Sequence, residues 1–176
     1  MGPAWHNLHD NVRRAHLQRE QFRASGSFRI QHGPGRLAQI AARLLRLPPA
    51  ADAVPTHLLV TGGSDREIWL RNFGAHQLHT MQRELPGAIL AERFGLLEIR
   101  FRLAVENQSL RFDQVSSALR AGPLSLRIPR FLAPRIEALE SRGERPNSTH
   151  VRVSVALPLA GLLISYEGEM TPEARA

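Results

Sequence analysis

The sequence predicts an α+β protein in which a strongly curved, mainly antiparallel β-sheet of about nine strands clasps a core helix, with two further helices. From residue 57 onward, apolar residues recur with a period of two and short turn-forming links separate the runs, which is typical of antiparallel strands. Between residues 36 and 47 they recur at helical spacing. Because many twisted antiparallel strands tend to curl, we expect the sheet to wrap around this helix.

Three segments have helical patterns. Residues 3–23, in an N-terminal helical segment of residues 1–24, carry only a thin apolar stripe, so we expect the protein to fold without residues 1–20. Residues 131–142 place Leu132, Ile136 and Leu139 at i, i+4 and i+7 before Gly143. The segment 36–47 is the predicted core helix and has the richest apolar face: Leu37, Ile40, Ala41, Leu44 and Leu45.

The predicted strands form a series with short connections. They are 27–31, 57–61, 66–73, 76–82, 87–94, 97–105, 108–114, 123–128 and a hairpin of 151–157 with 162–168. Val153 and Val155 share one face of this hairpin and are expected to be buried. Residues 48–56 are predicted as a loop and 170–176 as a frayed tail. We expect a single domain over residues 1–176.

Composition excludes several classes of function. The 176 residues hold 23 arginines, no lysine, 16 acidic residues and no cysteine, for a net charge of +7. Without cysteine there are no disulfides, zinc–thiolate sites or thiol nucleophiles. The arginines are spread along the chain beside acidic residues, which argues against a nucleic-acid patch. No apolar run is long enough to span a membrane, so we expect a cytoplasmic protein.

Two motifs have spacings that would suit a cofactor or a metal ion, but neither lies in the secondary structure that such a site requires. Gly33-x-Gly35-x-x-Ala38 matches the spacing of a dinucleotide-binding loop, with Asp52 as its acidic residue. No parallel βαβ unit follows it, so it predicts a turn and the start of a helix. The histidines at 6, 9 and 16 could share a helix face, whereas His76 and His79 would point to opposite faces of a strand. We therefore expect no cofactor and no metal.

Charged residues on apolar strand faces mark the candidate site. Arg71 lies between Trp69 and Phe73 on one face of its strand, and Glu92 lies between Leu90 and Phe94. Either charge is costly to bury alone, so we expect the two to form an ion pair. Such a pair could be purely structural, or it could mark a polar spot in a ligand cavity. The candidate ligand-binding residues, to which Tyr166 adds a hydroxyl, are Trp69, Arg71, Glu92 and Tyr166.

An ordered set of residues resembles a known family. The set is His16; Gly26; Gly33-x-Gly35; Leu47-Pro48; Trp69-x-Arg71; Glu92-Arg93-x-Gly95; Pro129 with Pro134; Glu140; Pro158-x-x-Gly161; and Tyr166-x-Gly168. Over residues 8–170 the chain resembles the bacterial family catalogued as domain of unknown function 4166. Members occur alone or behind a saccharopine-dehydrogenase-like domain. The resemblance implies no activity and no catalytic residues.

Three functions remain open on the sequence. The first is a non-enzymatic binding domain that holds an apolar or amphipathic small molecule in the concave face of the sheet, in a cavity of roughly 300 Å³ or more. The second is an enzyme that uses Glu92 as acid/base and Arg71 as anion binder. The third is an interaction domain that docks on a dehydrogenase-like partner through an exposed apolar patch.

Overall fold

Antiparallel strands make up most of the chain in the computed structural model, which describes residues 2–17, 21–63 and 65–173. The helical segments in this part are a 3-10 helix (Gly2–Asn7), α1 (Asp10–Ala15) and α2 (Arg36–Leu44). The strands are β1 (Gln21–His32), β2 (Ala51–Gly62), β3 (Glu67–Phe73), β4 (His76–Leu85), β5 (Ile89–Phe94), β6 (Leu97–Glu106), β7 (Ser109–Ala121), β8 (Leu124–Ile128), β9 (Arg135–Arg142), β10 (Thr149–Leu157) and β11 (Gly161–Pro172).

The sheet closes on itself. Ten strands form a ring in the order β1 to β7, then β9, β10 and β11, which pairs back with β1; β8 is an extra strand on β7. The predicted open sheet clasping a core helix is therefore wrong. The period-two pattern identified the strands and their antiparallel links, but it does not distinguish a curled sheet from a closed one, because closure depends on which distant strands pair.

Side chains from alternate strand positions fill the interior. One apolar cluster gathers around Phe28, Trp69 and Phe73, and a second around Ile99, Phe101 and Phe112. A barrel of about eight strands has room inside for its side chains or one small ligand, and a ring of ten strands is somewhat wider. Here the two clusters occupy most of the interior, and the helix that the sequence placed in the core lies outside it.

A lid formed by the 3-10 helix and α1 covers one end of the barrel, here called the lid end. Leu8 and Val12 are buried against the second cluster. The backbone amide of His9 donates to the carbonyl of Gln108 at 3.0 Å, in the β6–β7 turn. These contacts argue against the prediction that residues 1–20 are dispensable, because the two apolar residues of the lid fit the mouth of the barrel. Residues 18–20 of the predicted 3–23 helix lie outside the described residues, and β1 begins at Gln21.

The opposite end, here called the far end, carries α2 and the turns that follow β3, β5, β7 and β10. There α2 packs against β11 and β1 through the small residues Ala38 and Ala42. Its predicted core stripe points away from the barrel: Leu37, Ile40 and Leu44 are exposed, Leu44 at 78% of its surface. The sequence predicts a core helix because an apolar stripe indicates a helix face that is suited to burial. The stripe does not show which element, if any, covers that face.

The third predicted helix is a strand. Residues 135–142 form β9 between β7 and β10, with Ile136, Ala138 and Glu140 facing the interior. The helical spacing of Leu132, Ile136 and Leu139 is therefore incidental, and Leu132 and Leu139 are exposed. Pairing with two neighbouring strands overrides a local helical pattern of this kind.

The other strands lie where the sequence predicts them; most are longer than predicted, whereas β3, β5 and β8 begin one or two residues later than predicted. β2 takes in most of the predicted 48–56 loop, and β11 continues to Pro172, so the predicted tail 170–176 is wrong for residues 170–172; residues 174–176 lie outside the described residues. The predicted hairpin of β10 and β11 is confirmed. Val153 and Val155 are only half-buried, and Val155 packs against the first apolar cluster.

The first part of β7 pairs with β9, and toward the far end β7 pairs with β8 instead. The side-chain amide of Gln114 bridges the gap, donating to the Pro134 carbonyl at 2.7 Å and accepting from the Ile136 amide at 2.8 Å. The pairing of β8 with β7 leaves its other backbone edge without a strand partner in the described chain. None of the helices described is long and apolar enough to cross a membrane.

Replacing Val12 should cost more stability than replacing the larger Leu44. Val12→Ala removes two fully buried methyl groups, so we expect the free energy of unfolding to fall by about 2 kcal/mol. Leu44→Ala removes an exposed side chain and should change it by less than about 0.5 kcal/mol. Chemical denaturation measures both; the reverse ranking would show that the core depends on α2 and not on the lid.

Candidate functional site

A cavity of about 100 Å³ lies inside the barrel. Aromatic and aliphatic side chains form most of its wall, among them Phe28, Phe73 and Met170. The charged or phenolic residues that reach it are Arg71, Glu92, Glu140 and Tyr166. An apolar cavity with a few convergent polar groups is the usual form of a small-molecule site. This one is smaller than the roughly 300 Å³ expected from the sequence.

Arg71 and Glu92 meet across β4, as predicted. Arg71 Nη1 lies 3.5 Å from Glu92 Oε1 and donates to Thr80 Oγ1 at 2.9 Å. The Arg71 guanidinium lies 5.0 Å from the centre of the Trp69 ring, within range of a cation–π contact. Both charged side chains are about four-fifths buried, and both border the cavity. The pair therefore balances its own charge and still presents polar atoms to the interior.

Tyr166, on β11, borders the same cavity as this pair. Its ring packs against Phe73 and Phe28 at centroid distances of 5.2 and 6.0 Å. Burial raises the pKa of Tyr166 to about 12; the Arg71 charge opposes this, while Glu92 and Glu140 add to it. The hydroxyl makes no hydrogen bond with any part of the chain that the structure describes. It is thus a neutral donor, free to bind an oxygen placed in the cavity.

His16 comes from the lid and reaches Glu140 on β9. Its Nε2 lies 2.5 Å from Glu140 Oε2, and its ring packs near Trp69 at 5.8 Å. Burial lowers the pKa of His16, but the charge of Glu140 and the hydrogen bond to it outweigh burial, so the pKa is raised. This ion pair joins the end of the lid to the barrel interior.

Sequence reasoning missed the His16–Glu140 pair. Both residues belong to the ordered set that resembles the family, which was the only signal they gave. His16 was considered as a metal ligand beside His6 and His9, and Glu140 was placed on a helix. The described residues contain no group of three or more side chains able to hold a metal ion.

A groove at the lid end lies next to the cavity. Its volume is about 510 Å³, and Trp5, His16, Glu67 and Leu90 line it. Gln82 borders both the groove and the cavity, and its side chain is buried between them. The groove therefore approaches the interior beside the lid, where an entering molecule would pass His16.

The glycine-rich motif has a packing role. A Cβ on Gly33 would lie 2.0 Å from the carbonyl oxygen of Leu162, so only glycine allows this approach of β1 to β11. Gly35 is the N-cap residue of α2. The predicted turn and helix start are confirmed.

A family comparison accounts for nearly the whole chain. The model of the family described as "Domain of unknown function (DUF4166)" matches residues 8–170. The chain belongs to this family. No curated protein and no solved structure matches the chain. The match begins at Leu8 and so includes α1 and His16, but not the 3-10 helix of the lid; α1 is therefore part of the DUF4166 domain.

The sole tyrosine of the chain gives a direct test of the interior. Tyr166 should ionise near pH 12 in the folded protein and near pH 10 in denaturant, because burial disfavours the phenolate. Between these values the unfolded chain binds fewer protons than the folded one, so stability should fall as pH rises. Tyrosinate absorbance measures the titration; folded protein titrating near pH 10 would place the hydroxyl in water.

The His16–Glu140 pair should make stability depend on pH in a lower range, from about pH 6.5 upward. A raised histidine pKa stabilises the fold fully below about 6.5, the unfolded value, and this contribution is lost as pH rises through the folded pKa. Glu140→Gln should abolish or reverse this slope, since burial alone lowers the pKa of His16. His79→Gln, at an exposed position, is the control and should keep it. Urea unfolding across this pH range measures both; a slope unchanged in Glu140→Gln would contradict the assignment.

Proposed function

We propose that the protein is a binding domain that encloses a small amphipathic molecule inside the barrel. The observation that carries the proposal is the free Tyr166 hydroxyl, which faces an apolar cavity together with the Arg71–Glu92 pair. A cavity of about 100 Å³ suits a single ring or a short chain; an engineered apolar cavity of about 150 Å³ in another protein binds benzene. A larger ligand would require the lid to move.

The balance of charge favours an uncharged ligand. Arg71 is paired with Glu92 and His16 with Glu140, so the interior offers no net charge to compensate an ion. Tyr166 remains protonated at neutral pH and donates a hydrogen bond, as do the remaining N–H groups of Arg71. The ligand class that matches is a small cyclic or aromatic alcohol or ketone, whose oxygen accepts these bonds.

An enzyme at the same residues is the second candidate, because Glu92 borders the cavity and is accessible to a bound molecule. The anion-binding role first considered for Arg71 is weaker, since Glu92 already neutralises it. Glu92→Gln would separate the two functions: an enzyme would lose turnover of a bound molecule, whereas a binding domain has no turnover to lose.

Two methionines make ligand entry measurable. Met170 lines the cavity, whereas Met81 lies on the opposite face of its strand from the buried Thr80 and Gln82. On ¹³C-methyl-methionine protein, titration with phenol or cyclohexanone should shift the Met170 signal and leave Met81 unchanged, and benzoate should shift neither. Signals that stay in place at millimolar phenol and cyclohexanone, or that move equally for both methionines, would contradict the proposal.

Matched variants separate binding from folding. Tyr166→Phe removes only the hydroxyl and should weaken binding about fivefold, the equivalent of one hydrogen bond. Arg71→Met with Glu92→Met replaces the pair by apolar residues and should leave a folded protein that binds less tightly. Arg152→Met removes an arginine paired with Glu167 at 2.6 Å on the outer wall, and should leave binding unchanged.

A further inference from the structure

The far end of the barrel carries an unusual concentration of exposed apolar side chains. On one side, α2 exposes Leu37, Ile40 and Leu44. On the other side, the β7–β8 hairpin and the turn after it expose a second group. That group consists of Leu119, Leu124, Leu126, Phe131 and Leu132, with Leu124 and Phe131 about three-quarters exposed. Exposed groups of this extent mark an interaction surface.

The apolar residues of the hairpin lie together on one face. Leu119 pairs directly with Leu126, and Ala121 with Leu124, and cross-strand partners in an antiparallel pair point to the same side. The alternate positions, Arg120 and Arg127, point to the other side, where Arg120 pairs with Glu98. The hairpin is thus amphipathic, with one apolar face and one basic face.

Two of the segments at this end together carry a charge equal to the net charge of the protein. Residues 30–51 and 114–136 hold seven arginines and no acidic residue, so they account for the whole +7 of the chain. Apart from Arg120, these arginines are exposed and have no carboxylate within ion-pair distance in the described residues: Arg36, Arg43, Arg46, Arg127, Arg130 and Arg135. The arginines are spread in the sequence, but these seven lie on the segments of one end of the barrel.

We propose that the far end binds the surface of an anionic lipid bilayer. The two apolar groups would enter the interface between headgroups and acyl chains, and the arginines beside them would contact lipid phosphates. A bilayer explains this surface better than a nucleic acid does, because a nucleic acid backbone would not bury the eight exposed aliphatic and aromatic side chains. It also fits better than one protein partner, because α2 packs on β1 and β11 whereas the hairpin extends from β7, with β9 and β10 between them in the ring, and a bilayer needs no matching shape.

Vesicle co-sedimentation of the full chain tests this. We expect binding to vesicles of phosphatidylcholine with about one-third phosphatidylglycerol, weak binding to phosphatidylcholine alone, and loss of binding at high salt. Arg127→Gln with Arg130→Gln should weaken binding about fivefold for each arginine. The control, Arg66→Gln with Arg142→Gln, removes two exposed arginines at the lid end and should have no effect.

Apolar variants distinguish a lipid surface from other partners. Leu124→Ser with Phe131→Ser should reduce vesicle binding at least tenfold, whereas Ile68→Ser, at an exposed position near the lid end, should not. Unchanged binding in the double apolar variant would overturn the proposal in favour of a charge-only surface such as one for nucleic acid. Absence of vesicle binding, with a dimer in size-exclusion chromatography that the same variant makes monomeric, would instead assign this end to a second copy of the chain.

Discussion

The barrel depends on the pairing of its first strand with its last. β1 and β11 pair from Ala24 with Pro172 to His32 with Ile164. A Cβ on Gly26 would lie 1.9 Å from the Glu169 carbonyl oxygen, and one on Gly168 would lie 2.1 Å from that of Ser27, so both positions require glycine. Without this seam the sheet would have two free edges and a wet interior face. The cavity and the seat of the lid therefore exist only because the seam closes.

The local pattern of apolar residues predicted the features that depend on neighbouring positions in the sequence. Alternation revealed most strands, and it paired Arg71 with Glu92 because both stand among apolar neighbours on single strand faces. It misassigned β9, whose apolar residues also fit a helix, and it placed α2 inside the barrel. Closure depends on strands far apart in the chain, and burial of a stripe depends on what packs against it. Neither is encoded in spacing.

The same limit explains which part of the candidate site was predicted. Trp69, Arg71, Glu92 and Tyr166 lie on strands and were found by their period of two. His16 and Glu140 were not, because their contact joins the lid to a strand more than a hundred residues later. A charged residue that is satisfied by a distant segment looks, in sequence, like any other polar residue on a helix or a loop. Their positions within the family's ordered set were the available clue.

The two ends of the barrel suit different tasks. At the lid end, a short segment held mainly by Leu8, Val12 and the His16–Glu140 pair covers the groove that leads to the cavity. This segment is not part of the ring of paired strands, so opening it breaks no strand pairing and costs less than opening the barrel wall. At the far end, Leu47 packs against the apolar cluster around Phe28 and Phe73. A barrel resting with its far end on a bilayer would point its lid toward water. The proposed ligand site and the proposed membrane surface are therefore compatible, since a molecule could enter past His16 while the far end stays bound.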